Sequence, residues 1–194
     1  QCYPKHIKDS ILVVLENQMT HHNSVGEDIN IALLEDLILQ KPYVKKAEVS
    51  LDVEGAINAF VSFREPFLRF VKDEKVFYVD AEWIYLPEPL RLDNKLVVVS
   101  GDVEGDTGLI DLITVIYDDV VLKELIGGVH YSNYQYVLSS KICETGIVLG
   151  NYPSLNNKEI GMLIDVYNFF LENLGCDYCS QINIQYANQI ICIK

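Results

Sequence analysis

The stretch Lys46-Ala47-Glu48-Val49-Ser50-Leu51-Asp52-Val53 decides the fold, because polar and apolar residues alternate along it without a break. Successive side chains of a β-strand point to opposite faces, so this alternation gives a strand with one apolar face. Gly55 then supplies a turn, and a second alternating run follows over 57–63. The sequence therefore predicts a β-hairpin. Its expected core-facing residues are Ala47, Val49, Leu51, Val53, Ile57, Ala59, Val61 and Phe63.

Two elements are predicted upstream of this hairpin. The apolar run at residues 11–15 predicts a short strand. Ser24-Val25-Gly26-Glu27 has capping-box spacing, in which a serine and a glutamate three residues later satisfy each other's backbone N–H groups at a helix start. The helix then continues until Pro42 ends it, along an apolar stripe of Ile31, Leu34, Leu37 and Ile38. Together with the hairpin, these elements make a β-α-β-β unit.

A larger domain is predicted beyond Glu65-Pro66, where the alternation stops. A second hairpin surrounds the charged turn Lys72-Asp73-Glu74-Lys75. A helix is predicted from residue 109 to Gly127-Gly128, which ends it, and a second helix at 157–174. Extended segments are predicted at 84–89, 96–100, 134–138, 147–149 and 181–193. We therefore expect an α+β protein with domains at 1–66 and 67–194, the second being a mixed or antiparallel sheet with two helices.

The charge balance excludes two classes of ligand. The chain has 194 residues, with 15 Lys and Arg against 28 Asp and Glu, and a formal net charge of -13. An acidic surface repels nucleic-acid phosphates and anionic lipid headgroups, so neither is expected to bind. No apolar run in the sequence approaches the ~20 residues that a helix needs to cross a bilayer.

Five cysteines leave three interpretations open. They are Cys2, Cys143, Cys176, Cys179 and Cys192. The spacing of Cys176 and Cys179 is found in redox and zinc sites, but a redox pair lies at a helix N-terminus, whereas this pair follows the helix-ending Gly175. Zinc would need two further ligands, and no histidine is near in sequence. Because the count is odd, we favour buried or idle thiols over a structural disulfide, and redox or metal chemistry least.

No constellation of residues points to catalysis. His6, His21, His22 and His130 are scattered, and the acidic pair Asp118-Asp119 is best explained as a solvated helix surface. The glycine pair around Asp106-Thr107 lacks the lysine of a phosphate-binding loop. We therefore predict a non-enzymatic protein with no catalytic residue, no cofactor and no bound metal.

Five short motifs, in order, resemble the FtsQ/DivIB family of cell-division proteins, in its Bacteroides-like branch. The run Pro42-Tyr43-Val44-Lys45-Lys46-Ala47-Glu48-Val49 is similar to the family's P-[WY]-V-x-x-A-x-V segment, and Arg64-Glu65-Pro66 to the exit of that hairpin. Tyr78-Val79-Asp80, with Leu86-Pro87 after it, resembles Y-V-D-x-x-G-x-x-L-P. The remaining two are Val97-Val98-Val99-Ser100-Gly101 and the ending Ile182-Asn183-Ile184-Gln185-Tyr186-Ala187-Asn188-Gln189-Ile190-Ile191-Cys192.

The resemblance extends to the order of elements, because strand, helix, Pro-Tyr turn and hairpin over 1–66 resemble a POTRA module. Two positions depart from the family pattern. Trp83 stands where the family has a turn glycine, so the turn after Asp80 is expected to be remodelled, and residues 7–23 match poorly.

The resemblance implies a scaffold of the division complex. The chain would be the periplasmic part of a single-pass inner-membrane protein, with its membrane helix upstream, and would bind FtsB/FtsL-like coiled-coil partners during septum formation. An exposed last strand would accept a partner strand. Its expected contact residues are Gln185, Tyr186, Ala187, Asn188 and Gln189, and those of a second surface on the POTRA-like unit are Asn58, Phe60, Ser62 and Arg64.

Several alternatives stay open at this point. Tyr186 can instead be a core residue of a central strand, and the second surface can be plain packing. A POTRA-containing component of outer-membrane assembly or secretion, binding nascent β-strands, is the alternative function. A periplasmic enzyme that uses the Cys176 and Cys179 thiols is a third.

Overall fold

The structure is a computed structural model that describes residues 9, 11–13, 15–16, 30–86, 96–151, 156–186 and 189–194. Two compact units are present. The first consists of Gln1–Pro66 and Tyr78–Asp93, and the second of Phe67–Phe77 and Asn94–Lys194. The chain leaves the first unit after Pro66 and returns to it at Tyr78, so the units are not two contiguous segments.

In the first unit, helix α1 (Ile31–Leu39) packs on an antiparallel pair, β1 (Val44–Leu51) and β2 (Ile57–Phe63). The hairpin predicted from the alternation is thus confirmed. Its outer end differs, because Leu51 and Val53 are exposed instead of buried. At 1.5 Å per residue α1 spans about 14 Å, whereas β1 spans about 27 Å, so the helix covers only part of the hairpin's apolar face.

The strand predicted at 11–15 is wrong, since the described residues from 9 to 16 are helical. A short apolar run fits a strand and a helical turn equally well by its pattern alone. Ile11 is buried and Leu15 packs on the same core, whereas Leu12 and Val13 are exposed. The two core residues are four apart, which is the spacing of one face of a helix.

Helix α1 begins later than the sequence predicts. Asn30 is its N-cap, with extended backbone, and the Asn30 side chain accepts a hydrogen bond from the N–H of Leu33 at 3.1 Å. This bond satisfies one of the free N–H groups of the first turn. The capping box predicted at 24–27 lies outside the described residues.

The second unit contains a large mixed sheet. Its strands are β3 (Leu68–Lys72), β6 (Val98–Ser100), β7 (Ile126–Ser132), β8 (Gln135–Ser140), β9 (Gly146–Gly150), β10 (Gln181–Asn183) and β11 (Ile191–Ile193). They lie in the order β11-β10-β9-β8-β7-β6-β3. Neighbours pair in parallel at β3–β6, β6–β7 and β9–β10, and antiparallel at β7–β8, β8–β9 and β10–β11. The predicted α+β class is confirmed.

The hairpin predicted around 72–75 is also present. Strand β4 (Lys75–Val79) follows β3 through Asp73 and Glu74, which both have positive φ, and β5 (Tyr85–Leu86) pairs antiparallel with Tyr78 and Val79. Two residues in the left-handed region are typical of a type I′ turn, whose twist matches that of a hairpin.

Helices connect two of the three neighbouring parallel pairs. Helices α2 (Thr107–Asp118) and α3 (Val120–Leu125) join β6 to β7, and α4 (Asn157–Asp165), continued by a π-helix over Val166–Leu174, joins β9 to β10. Their buried side chains form the core with those of the sheet. Fully buried residues include Phe70, Leu109, Leu112, Ile113, Ile116, Leu122, Leu125 and Leu138.

Gly127-Gly128 does not end a helix, so that prediction is wrong. Asp119 divides the predicted helix: its backbone is extended and its side chain accepts the N–H groups of Val121 and Leu122, which starts α3. The glycines lie in β7. A Cβ on Gly128 would sit 2.6 Å from the Ser139 hydroxyl oxygen and 2.9 Å from the carbonyl oxygen of Val98. Glycine is therefore required there by the close approach of the neighbouring strands.

Two strand boundaries also differ from the sequence-based prediction. Tyr134 lies in the turn between β7 and β8, where it and Asn133 have positive φ, and β8 begins at Gln135. The single strand predicted over 181–193 is two short antiparallel strands, β10 and β11, with residues 184–190 between them.

Candidate functional site

Among the described strands, β11 lies at one edge of the sheet. Its three residues pair only with β10, and among the strands that the structure describes β11 is the last at that end of the sheet. An edge strand directs half of its backbone N–H and C=O groups away from the sheet, where another chain can bind them. Ile191 and Ile193 are 38% and 43% exposed, so the edge also offers apolar side chains at alternate positions.

A disulfide and a serine attach β11 to the segment that precedes β10. The backbone N–H and the hydroxyl of Ser180 lie 2.8 Å and 3.0 Å from the carbonyl oxygen of Ile193, to which both donate. Cys192, the central residue of β11, forms a disulfide with Cys179. The ammonium of Lys194 lies 4.7 Å from the centre of the Tyr178 ring, a cation–π contact that fixes the last residue.

A second disulfide joins Cys143, in the loop between β8 and β9, to Cys176. The buried hydroxyl of Thr145 lies 2.8 Å from the carbonyl oxygen of Cys176 and 3.0 Å from that of Cys179, and so holds the segment between the two disulfides. All four cysteines in the described part of the chain are therefore bonded. The interpretation of Cys176 and Cys179 as idle thiols, or as one redox or metal pair, is wrong, because each binds a distant partner.

The predicted contact residues lie beside the edge strand, in the segment that connects β10 to β11. Gln185 is held in place, since its N–H donates to the Asn183 side chain at 3.0 Å and its amide oxygen accepts from Gln135 at 3.3 Å. Tyr186 is 51% exposed and follows directly. The alternative that Tyr186 is a core residue of a central strand is wrong. Gln189 donates its N–H to the Tyr186 carbonyl at 3.1 Å, and Ala187 and Asn188 lie outside the described residues.

An open cavity of about 470 Å³ adjoins Tyr186. It lies at the carboxyl ends of β9 and β10, which run parallel. Its lining residues are Leu149, Gly150, Asn151, Glu159, Ile184, Gln185 and Tyr186. The cavity is therefore continuous with the exposed tyrosine, and the surface beside β11 has room for a side chain of a partner.

Comparison with known proteins identifies the family. The sequence model of the family described as FtsQ/DivIB, C-terminal related, matches residues 65–193, which is well over half of the chain. The chain belongs to this family. The resemblance that the motifs predicted is thereby confirmed. No curated protein matches the chain.

Family membership gives the chain a general role. FtsQ/DivIB proteins are membrane-anchored, non-enzymatic scaffolds of cell division, so the chain has a cell-division role. In the part that the structure describes, no helix is both long enough and apolar enough to span a membrane.

The turn after Asp80 places Trp83, the residue at the family's glycine position, in a left-handed conformation. Trp83 has a φ of 60, in the left-handed region that glycine favours. Asp80 organises the turn, because its side chain accepts the N–H groups of Glu82 and Ile84, both at 2.9 Å. The backbone N–H of Trp83 donates to the carbonyl of Asp80 at 3.1 Å. Hydrogen bonds to Asp80 therefore offset the strain at Trp83, and the expectation of a turn remodelled relative to the family stays a prediction.

Only three of the four residues of the second predicted surface, on the POTRA-like unit, are exposed. Asn58, Phe60 and Ser62 lie on the outer face of β2, and Phe60 is 70% exposed opposite Glu48. This exposed aromatic is not a packing residue of the hairpin core.

Arg64, the fourth member of that surface, is engaged within the first unit. Its side chain is 17% exposed and lies 2.6 Å from the Asp80 carboxylate and 2.7 Å from that of Glu82. Hydrogen bonds to Glu82 and Asp80 raise the pKa of the Arg64 guanidinium. Arg64 and then Lys45, at 2.9 Å, hold the pKa of Glu82 below its usual range. Arg64 is thus a structural residue that sequence reasoning assigned to a surface.

The edge of the first unit's sheet is partly blocked. The carboxylate of Glu35, on α1, accepts the N–H of Val49 at 2.8 Å. Val49 lies within β1, so the Glu35 side chain occupies a backbone donor that an incoming strand would need. This bond could not be predicted from the sequence, because Glu35 has the pattern of an ordinary solvated helix residue. Among the described residues no side chain accepts a backbone N–H of β11, although the Ser180 hydroxyl donates to the Ile193 carbonyl.

Proposed function

We propose that this chain is the periplasmic part of a division scaffold and that it binds an FtsB/FtsL-like coiled-coil partner at β11. The partner would add a strand to the sheet. The observation that carries this proposal is the exposed edge of β11, with Ile191 and Ile193 on one face and no strand beside it in the described part of the chain.

Strand addition requires backbone groups that are free to pair and side chains that select the partner. The outward N–H and C=O groups of β11 supply the first. Ile191 and Ile193 supply the second, because apolar residues at alternate positions of the incoming strand would cover them. The preferred partner segment is therefore an extended one that has two apolar residues separated by a single residue.

Tyr186 is the aromatic anchor of this proposal. A tyrosine buries a large apolar ring at low entropic cost and keeps a hydroxyl for hydrogen bonding, which explains its enrichment in interface hot spots. Gln185 orients the segment through its hydrogen bonds to Asn183 and Gln135. The cavity beside Tyr186 would take a side chain that follows the added strand.

The disulfides support the periplasmic assignment. Structural disulfides form and persist in oxidising compartments such as the bacterial periplasm, and are rare in the cytosol. Two of them, Cys143–Cys176 and Cys179–Cys192, lie in the family-matched part of the chain.

The test is calorimetric titration of this chain with the periplasmic parts of the same organism's FtsB and FtsL. Tyr186→Glu is expected to weaken binding at least tenfold, because it places a charge where an aromatic ring would be buried. Val120→Glu is the matched control, since it adds the same charge at an exposed apolar residue on α3. Equal affinity of wild type and Tyr186→Glu would move the site away from this segment, and no binding by wild type at micromolar concentrations would contradict the proposed partner.

A further inference from the structure

Strand β11 is too short to be held by its ladder alone. It has three residues, and each pairs with one residue of β10, which is equally short. Strand β10 also pairs with β9, but β11 is paired on one side only, so three residue pairs are all that its ladder supplies. The edge that the proposed function requires must therefore be held by something besides backbone hydrogen bonds.

The disulfide between Cys179 and Cys192 supplies the covalent attachment, beside the Ser180 hydrogen bonds to Ile193 and the contact of Lys194 with Tyr178. Cys192 is the middle residue of β11, so its side chain points to the face opposite Ile191 and Ile193. Cys179 is 3% exposed, and its carbonyl oxygen accepts from the buried hydroxyl of Thr145. The centre of the edge strand is thus covalently tied to a fixed, buried point, and the tie leaves the apolar docking face open.

We propose that the Cys179–Cys192 disulfide is a positioning element of the docking edge, which makes partner binding redox-dependent. The inference rests on the proposed function, because it names a regulation of that same edge. With the disulfide intact, β11 is held in register and a partner strand meets a preorganised template. With the disulfide reduced, β11 frays, and the partner must order it before pairing.

A dithiol is the reductant that this switch requires. Its thiolate attacks the sulfur of Cys192, which is partly exposed, while Cys179 is buried and becomes the leaving thiolate. The second thiol of the reductant then attacks the mixed disulfide and frees Cys192. One S–S bond breaks in the protein and one forms in the reductant. Two electrons and two protons pass from the dithiol to the two cysteines.

The other disulfide provides an internal control. Cys143–Cys176 joins the β8–β9 loop to the segment after the π-helix and includes no residue of β10 or β11. Its removal is expected to lower stability without releasing the edge. The two double variants, Cys179→Ser with Cys192→Ser and Cys143→Ser with Cys176→Ser, each remove both sulfurs and leave no unpaired thiol from the broken bond.

The experiment compares the wild type, both double variants and wild type reduced with dithiothreitol. Hydrogen exchange followed by mass spectrometry reports on the peptide 189–194, and calorimetry reports on binding to the periplasmic FtsB–FtsL pair. We expect exchange of 189–194 to accelerate at least tenfold, and affinity to fall roughly tenfold to a hundredfold, in the Cys179/Cys192 variant. The Cys143/Cys176 variant should change both by less than about twofold.

Two results would overturn the inference. Unchanged exchange of 189–194 in the Cys179/Cys192 variant means that the disulfide does not hold the edge, and faster exchange with unchanged affinity means that binding does not depend on it. A wild type that binds neither FtsB nor FtsL contradicts the proposed function instead, and the exchange comparison then decides alone whether the disulfide positions β11. Partial reduction of the wild type repeats the comparison without substitution, should serine at the buried Cys179 position impair folding.

Discussion

Removal of the Cys143–Cys176 disulfide is expected to lower stability more, whereas removal of the Cys179–Cys192 disulfide is expected to weaken partner binding more. A disulfide stabilises mainly by restricting the unfolded chain, and more so for longer loops. Cys143–Cys176 spans a sequence separation of 33 and Cys179–Cys192 one of 13. The loop-entropy relation gives about 3.7 kcal/mol for the first and about 2.9 kcal/mol for the second. Removing Cys143–Cys176 should therefore cost about 0.8 kcal/mol more stability, although only removal of Cys179–Cys192 releases the edge strand.

Urea unfolding followed by far-ultraviolet circular dichroism measures this difference, with both double serine variants and the wild type at one pH. Thiol titration of the denatured wild type without reductant checks that both bonds are present. A larger loss of stability in the Cys179/Cys192 variant would refute the loop-entropy reasoning, because the shorter loop would then contribute more. Equal midpoints for all three proteins would show that neither disulfide constrains the unfolded chain.

Three further predictions concern individual side chains. Asp80→Ala should destabilise the first unit by about 3 kcal/mol in thermal unfolding, since it strips Arg64 and two backbone N–H groups of their acceptor; Glu48→Ala, on the exposed hairpin face, is the control. Gly128→Val should cost about 1–3 kcal/mol by the same assay, because the neighbouring strands leave no room for a Cβ. Burial, and then the hydrogen bond to Asp106, raise the pKa of Tyr136 above its ordinary value of 10.0. The stabilising contribution of protonated Tyr136 is therefore present below pH 10 and is lost as the pH rises further. In pH-dependent unfolding, Tyr136→Phe should remove this alkaline loss of stability.

Each of these three predictions has its own contradicting result. A melting temperature of Asp80→Ala equal to that of Glu48→Ala would show that the ion pair does not support the turn. Normal stability of Gly128→Val would mean that β6, β7 and β8 can separate at no cost. An alkaline transition that persists in Tyr136→Phe would assign it to another group.

Local pattern predicted the secondary structure well where one face of an element is buried. The alternation along β1 and β2 was sufficient because α1 covers that face, and it failed at Leu51 and Val53, which α1 does not reach. At 11–15 the apolar run is too short for its period to distinguish a helical turn from a strand. Glycine was ambiguous in the same way: Gly127-Gly128 fits a helix stop by sequence, and only the approach of Val98 and Ser139 shows why a strand needs it.

The site was predictable in part. The motif ending at Cys192 located the segment that contains Gln185 and Tyr186, but it could not show that β10 and β11 are separate strands with Tyr186 between them. The disulfide partners could not be derived, because pairing depends on which loops the fold brings together. The ion pair between Arg64 and Asp80 could not be derived either. The two residues are sixteen positions apart and meet only through the turn that Asp80 organises.

The central claim is that a partner strand pairs with β11. Backbone amide resonances, or exchange at single-residue resolution, over 191–193 report this pairing directly when the periplasmic FtsB–FtsL pair is added. We predict new protection at the outward amides of β11, with little change in β1 and β2. Protection that appears instead on the hairpin around Phe60, with β11 exchanging as in the free protein, would contradict the claim.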